Sequence, residues 1–284
     1  MSLQTKQTVF SLEIFPPKPD SDKSSIYRTL DGLSGISPDF ISVTYGAGGS
    51  NNGAETIRIA SDIVSRYGFN SMAHLPCVGL SRERAGEILE SLEERGITGV
   101  LALRGDIPAD SGDISGDFPH ASDLISFIRE NFPSLSIFAA CYPEVHPESA
   151  NSQEDIGWLA HKVNCGADCL ITQFFLDNRH FYDFRDKARS SGISVPIEAG
   201  IMPVTNKKQI ERMVKICKVE LPAKFVRVLD RYGDCPEALR DAGIAYAADQ
   251  ITDLIAEGVD GIHLYTMNSP YTACKIFDAI HSML

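Results

Sequence analysis

The sequence predicts an α/β protein closed into a (βα)₈ TIM barrel. Three observations predict it: short apolar runs rich in strand-forming residues recur eight times, segments of helical periodicity separate them, and the residues at the ends of the runs are polar. Strand and helix signals that alternate from end to end are the pattern of repeated βα units around a parallel sheet. At 284 residues the chain fits one such domain spanning 1–284, since barrels of this kind run to roughly 250 residues.

The first run, residues 9–15, alternates Phe10, Leu12 and Ile14 with Ser11, Glu13 and Phe15. One face therefore packs under helices while the other, carrying Glu13, points into the barrel. Run 40–44 repeats this, with Ser42 and Thr44 opposite Ile41 and Val43. A helical pattern over 54–67 leads to run 71–75, one over 81–95 to run 99–103, and one over 122–131 to run 136–141. Helix 155–164 precedes run 169–172, and helix 181–191 precedes run 196–200. Helices 207–216 and 236–257 precede the eighth run, 261–265, and one short helix follows it. Several of these helices open on Ser, Asp or Asn and are followed by Gly, the expected start and stop signals.

An open doubly wound sheet is the rival architecture, and it usually carries Gly-x-Gly-x-x-Gly at its first strand-to-helix turn. Here that turn is Phe15-Pro16-Pro17-Lys18, without glycine. Gly46-Ala47-Gly48-Gly49-Ser50-Asn51 follows the second run but breaks the spacing, so it reads as a βα loop whose amides can approach a ligand.

Composition narrows the partners. A formal net charge of −12 argues against a nucleic-acid backbone or an anionic membrane as partner. The first nine residues lack a basic leader and an apolar h-region, and no apolar run approaches the roughly 18 residues of a membrane span. Seven scattered cysteines without a Cys-x-x-Cys pair suit reduced thiols in a cytoplasmic protein better than disulfides or zinc. Cys165 and Cys169 can share a helix-to-strand turn, where ordinary packing accounts for them.

Active sites of such barrels sit at the C-terminal ends of the strands. Those ends read Glu13, Thr44-Tyr45, His74, Arg104-Gly105-Asp106, Tyr142, Gln173, Gly200 and Tyr265, a rim better explained by a ligand than by accident. Glu13 reads two ways: a buried carboxylate paired with a cation, or a general acid whose ionised form is disfavoured by desolvation beside Phe15. His74 reads as a hydrogen-bonded rim histidine, with no second ligand at a spacing that suits a metal. Arg104 and Asp106 can pair with each other, or Gly105 between them can admit something flat or phosphorylated. The strand ends carry no lysine for a Schiff base and no Gly-x-Ser-x-Gly elbow, which leaves redox chemistry with a bound cofactor or simple ligand binding.

At this point the residues resemble a known family. Ser11-Leu12-Glu13-Ile14-Phe15-Pro16-Pro17-Lys18, Val43-Thr44-Tyr45-Gly46-Ala47, Ala73-His74-Leu75 and Leu103-Arg104-Gly105-Asp106 look like successive signatures of methylenetetrahydrofolate reductases. Tyr142-Pro143-Glu144-Val145-His146-Pro147, Thr172-Gln173-Phe174-Phe175, Gly200-Ile201-Met202-Pro203-Val204 and Leu264-Tyr265-Thr266-Met267-Asn268 continue the series in order.

The resemblance implies an FAD-bound barrel of one-carbon metabolism that reduces 5,10-methylenetetrahydrofolate to 5-methyltetrahydrofolate by a ping-pong cycle. Electrons would come from NADH, NADPH or a protein donor, which the sequence does not distinguish. It implies Glu13 as proton donor and Asp106 as a carboxylate near flavin and pterin that favours hydride transfer to folate. For FAD it implies Tyr45, Ala47, His74, Arg104, Gly105, Asp106, Ala121, Tyr142, His146, Asp155 and Lys162, with Trp158 and His161 standing where the family commonly has Asn and Arg. For nicotinamide and folate it implies Thr44, Asp106, Gln173 and Gln209, with Ser269 in place of a usual arginine and Met213 in place of an aromatic. It further implies a homo-oligomer, and the end of the chain after one short helix leads us to expect no regulatory domain. Two other readings are a pterin-binding barrel serving a methyl-transfer system and a barrel acting as a scaffold subunit.

Overall fold

The computed structural model describes residues 7–18, 21–45, 52–105 and 116–284. Eight parallel strands, β1 (Val9–Ile14), β2 (Phe40–Val43), β3 (Ser71–Pro76), β4 (Gly99–Leu103), β5 (Ser136–Cys141), β6 (Cys169–Thr172), β7 (Ile197–Ile201) and β8 (Gly261–Tyr265), close into a barrel in sequence order. The seam is made by β1 and β8, with Ser11 paired to His263 and Glu13 to Tyr265. Around the sheet lie α1 (Ser25–Gly32), α2 (Asn52–Asp62), α3 (Arg82–Glu94), α4 (Ala121–Asn131) and α5 (Ser152–Asn164). The ring continues with α6 (Asn178–Ser190), α7 (Lys207–Cys217), α8 (Ala223–Tyr232), α9 (Pro236–Ala256) and α10 (Pro270–Ile280).

All eight predicted runs are strands, and the differences at their ends have local causes. The seventh begins at Ile197 rather than Pro196, because proline has no N–H to donate to the ladder; its carbonyl still accepts from Leu170 N at 2.9 Å. The first ends at Ile14. Phe15 lies beyond it, 37% exposed, with its backbone N–H and carbonyl both held by the Asn268 side chain, so it is not the inward neighbour of Glu13 that the alternation predicts. Helices α1 and α8 are additions to the predicted set. Both are short, and α8 opens on Pro222, a start signal the periodicity leaves unread.

Side-chain caps set several helix starts: Ser81 accepts from Arg84 N, Asn151 from Glu154 N, Asp177 from Arg179 N and Asn206 from Gln209 N. Helix α2 continues as a wider π-helical turn, Ile63–Tyr67, which ends on Gly68 at φ 72.

Strand parity divides the side chains of the sheet between two zones, outside and inside the barrel. Phe10, Leu12, Ile14, Ala73, Leu75, Val100, Ala102, Ile262 and Leu264 face outward and join the cluster beneath the helices. Met72, Leu101 and Ile171, with Phe40, Leu103 and Phe138, fill part of the barrel interior. A third cluster under α7, α8 and α9 includes Met202, Val204, Ile210, Phe225 and Leu229. Gly243 lets α9 approach closely here, since a Cβ on it would lie 2.0 Å from Val204 O.

All seven cysteines are free thiols. Cys165 contacts His161 while Cys169 is buried against Glu198. Among the described residues, no helix is long and apolar enough to cross a membrane.

Candidate active site

Strand parity delivers Ser11 and Glu13 to the interior, where β8 presents His263 and β3 presents His74. Glu13 Oε2 lies 3.4 Å from His74 Nε2 and 3.5 Å from His263 Nε2, with the Glu13 side chain 17% exposed. His263 Nε2 also meets Ser42 Oγ at 3.4 Å, and its ring lies over Phe40. On its other side Nδ1 meets Ser11 Oγ at 2.6 Å, and that hydroxyl is 2.6 Å from Glu198 Oε2. Ser11, His263 and Glu198 are buried.

Two of these groups are shifted by their surroundings. Burial pushes the His74 imidazole down to about 4, against the opposing attraction of Glu13, so it is neutral near pH 7. Burial raises the Glu198 carboxyl, and His263 and Ser11 oppose that only in part. Tyr265 stands above this layer, edge-on to His263; its hydroxyl donates to Thr172 O at 2.7 Å and burial holds it far above its usual range. Gly200 makes room for it, since a Cβ there would lie 2.8 Å from the Tyr265 ring and 2.2 Å from Thr172 O.

A second group forms one side of the mouth. Tyr142 meets His146 edge to face at 4.6 Å between centroids. His146 Nδ1 accepts from Glu148 N, and burial lowers its basicity, so the neutral ring carries its hydrogen on Nε2. Asp155 holds this loop through His146 N and the Ser149 hydroxyl. Val145, at φ 70, takes the left-handed turn between them. Lys162 is half-buried, donates to the Ala140 carbonyl, and is pushed below its ordinary range by burial.

Arg104 has a carboxylate partner at the mouth. Its guanidinium makes two hydrogen bonds, 2.5 and 2.8 Å, to the Glu148 carboxylate, a partner supplied by the β5–α5 loop. Gly105 has φ 87, and a Cβ on it would lie 2.8 Å from Pro76 Cβ, so only glycine passes here. Ala47 and Asp106 lie outside the described residues.

The other expected residues sit on the same end of the barrel, differently engaged. Thr44 follows β2, and its carbonyl accepts from the Thr56 hydroxyl. Tyr45 packs its ring against the space left by Gly53. Ala121 opens α4 behind the His120–Asp123 cap. Gln173 Oε1 accepts from Phe174 N, which leaves its amide nitrogen as donor. Gln209 stands in the first turn of α7. Trp158 is 57% exposed and lies near both His120 and His161 on the outward side of α5. Ser269 stands just before α10 without a side-chain bond to the helix backbone; its hydroxyl meets Thr272 Oγ1 at 2.9 Å, and Met213 packs into the cluster under α8.

Glu198 and His263 escape a census of strand ends because they sit one layer deeper. A signal was present: each is a polar residue alternating with apolar ones inside an otherwise apolar strand, Ile197-Glu198-Ala199 and Ile262-His263-Leu264. Glu144, His180 and Glu220 form a further group among the described residues that could hold a cation, with ligand atoms within 4.8 Å of one another. Glu220 already engages both partners, its side chain on His180 and its backbone N–H on Glu144.

A family model described as methylenetetrahydrofolate reductase matches residues 1–281. A 5,10-methylenetetrahydrofolate reductase of Pectobacterium carotovorum is 38% identical, covering 91% of this chain and 85% of the relative. That of Escherichia coli K12 is 37% identical with 91% and 86% covered. Methylenetetrahydrofolate reductase (NADH) 1 of Arabidopsis thaliana is 36% identical over 95% of this chain, which spans 48% of the plant protein. Among solved structures, a Clostridium thermocellum protein that binds two copies of 5-methyl-5,6,7,8-tetrahydrofolic acid shares the fold at a TM-score of 0.69 and 13% identity, with 99% and 97% covered.

Proposed function

Because the chain belongs to the methylenetetrahydrofolate reductase family, we propose that it reduces 5,10-methylenetetrahydrofolate to 5-methyltetrahydrofolate with bound FAD, in two half-reactions on one site. The observation that carries this reading is Glu13, a carboxyl inside the mouth, 17% exposed and within 3.5 Å of the His74 and His263 imidazoles.

The residues present fit FAD. Lys162 is a desolvated cation whose hydrogen bond goes to a neutral carbonyl, His146 carries a donor hydrogen on Nε2, and Tyr142 supplies an aromatic ring beside His146. A dinucleotide's pyrophosphate and ring system need such a cation, donors and aromatic surface. Arg104, Gly105 and Ala121 border the same side, and Trp158 and His161 flank it on α5. When bound, FAD supplies the hydride that reduces the one-carbon unit.

The chain's own groups supply the proton. Glu13 delivers it to the ring nitrogen that bridges to the one-carbon unit, which opens the five-membered ring and leaves an electrophilic iminium. His74, neutral near pH 7, places no cation beside Glu13. The carboxyls in and below the mouth favour the cationic iminium over its neutral precursor. Gln173 and Thr44 line the shared position for donor and folate, which suits alternate occupancy without a separate nicotinamide-binding fold. We assign the electron donor to NAD(P)H or a protein donor, the place of action to the cytoplasm, and the assembly to a homo-oligomer.

The test is anaerobic stopped-flow absorbance at the flavin band. Reduction by NADH or NADPH followed by reoxidation on adding 5,10-methylenetetrahydrofolate supports the reading. Folate binding without reoxidation favours a pterin-binding barrel instead.

A further inference from the structure

Below Glu13 the barrel holds a second carboxyl that the reaction just described does not use. Glu198 is 3% exposed, yet it is not isolated. Its Oε2 lies 2.6 Å from Ser11 Oγ, Ser11 Oγ lies 2.6 Å from His263 Nδ1, and His263 Nε2 lies 3.5 Å from Glu13 Oε2. The four side chains form one line of exchangeable protons through the barrel axis. Gly261, the register partner of Glu198 on β8, makes room for it: a Cβ there would stand 2.7 Å from Glu198 Cγ.

We propose that Glu198 is a proton store for Glu13, connected to it through Ser11 and His263 and recharged by the same route; this rests on Glu13 being the acid of the reductase.

The hydrogens can be arranged in two ways. In one, Glu198 carries the proton and donates to Ser11, Ser11 donates to His263 Nδ1, and Nε2–H points at an ionised Glu13. In the other, Ser11 donates to ionised Glu198, Nδ1–H donates to Ser11, and protonated Glu13 points at Nε2. Conversion breaks the Glu198 O–H, the Ser11 O–H and the Nε2–H bonds. It forms a new Ser11 O–H, an Nδ1–H and a Glu13 O–H. One proton and one negative charge change ends, with no net redox change and no co-reactant. His263 is neutral before and after, in opposite tautomers. The 3.5 Å step to Glu13 is the longest, and such contacts commonly tighten when ligand closes the site.

The arrangement answers a need of the chemistry. With folate and cofactor over the mouth, water does not reach Glu13, and a proton given to the substrate nitrogen has to be in place before closure. Burial raises the Glu198 carboxyl and so favours its proton-bearing form, shielded from solvent. Between turnovers the open mouth recharges Glu13, and the line passes the proton back down. The groups facing Glu198 are His263 on β8, Ser11 on β1, Cys169 on β6 and the more distant Asp39; those facing Glu13 are His74 and His263, with Tyr265 nearby.

Two measurements test the proposal separately from the reductase reading. Infrared difference spectroscopy of the ligand-free wild-type protein at about pH 7 is expected to show a buried protonated carboxyl band that E198Q removes and S11A retains. Absence of that band in the wild type overturns the store, whether or not the protein reduces folate. Single-turnover reoxidation is then followed from about pH 6 to about pH 8.5 in wild type, E198Q and S11A. The variant-to-wild-type ratio is expected to fall with rising pH, by up to about tenfold per unit, because Glu13 alone then depends on bulk protons. A ratio that is constant across pH, or E198Q alone affected while S11A matches wild type, overturns the proposal. A wild type with the carboxyl band but no reoxidation at any pH overturns the reductase reading instead.

Discussion

His74 Nε2 lies 3.4 Å from Glu13 Oε2 and is buried, yet the contact is not aligned as a hydrogen bond and this nitrogen has no other partner among the described residues. A neutral imidazole is thereby held against an acid. Because its folded value is depressed from 6.5 to about 4, the stability it contributes is fully present above 6.5 and is lost as pH falls from 6.5 towards 4. The full loss is on the order of 3 kcal/mol. Urea midpoints at about pH 7 and about pH 4.5 are expected to drop less for His74→Gln than for wild type; equal drops remove His74 from the acid response.

Glu13→Gln keeps shape and most hydrogen bonding but carries no transferable acid proton. Reduction by the nicotinamide donor is expected near the wild-type rate, while reoxidation by methylenetetrahydrofolate slows by about 10² to 10⁴. Equal slowing of both steps, or loss of the fold, makes Glu13 structural.

The purified protein is expected to be yellow, with FAD released on denaturation. Lys162→Met removes the desolvated cation while keeping much of its volume, and is expected to weaken FAD retention about 10- to 100-fold, as for a lost charge-assisted contact of roughly 1.5–3 kcal/mol. Unchanged retention in a fluorescence titration places the pyrophosphate elsewhere.

Ser269→Arg restores a cation the family commonly has, and a charge-assisted contact to folate is expected to lower its KM about tenfold with little change in the donor step. Ser269 stands at the N-cap position of α10 without a side-chain bond to the helix backbone, and its hydroxyl meets Thr272 Oγ1, so the substitution removes one side-chain contact. An unaltered or raised KM means that folate lies away from this helix start.

Gly243→Ala is expected to be among the most destabilising single-methyl additions, since the new carbon meets Val204 O at 2.0 Å and backbone cannot rotate away. A loss above about 2 kcal/mol in chemical denaturation is the expected result. A neutral effect would falsify the close packing of α9 on the segment after β7.

The sequence by itself determined the period of every strand, and with it the fact that Glu13 points inward and Leu12 outward. That follows from backbone geometry within one strand, where neighbouring side chains alternate whatever the rest of the chain does. Eight such runs separated by helices also determined a closed parallel barrel. It did not determine which inward groups meet. Ser11 and Glu198 are 187 positions apart, and Ser11 and His263 are 252 apart; their contacts exist because β1 closes against β8 in a register that sets Ser11 beside His263. Arg104 likewise meets Glu148, 44 positions away, through the β5–α5 loop. Periodicity is a local property, whereas register across the closing seam is set only when all eight strands pack, and the chemistry of the interior depends on that register.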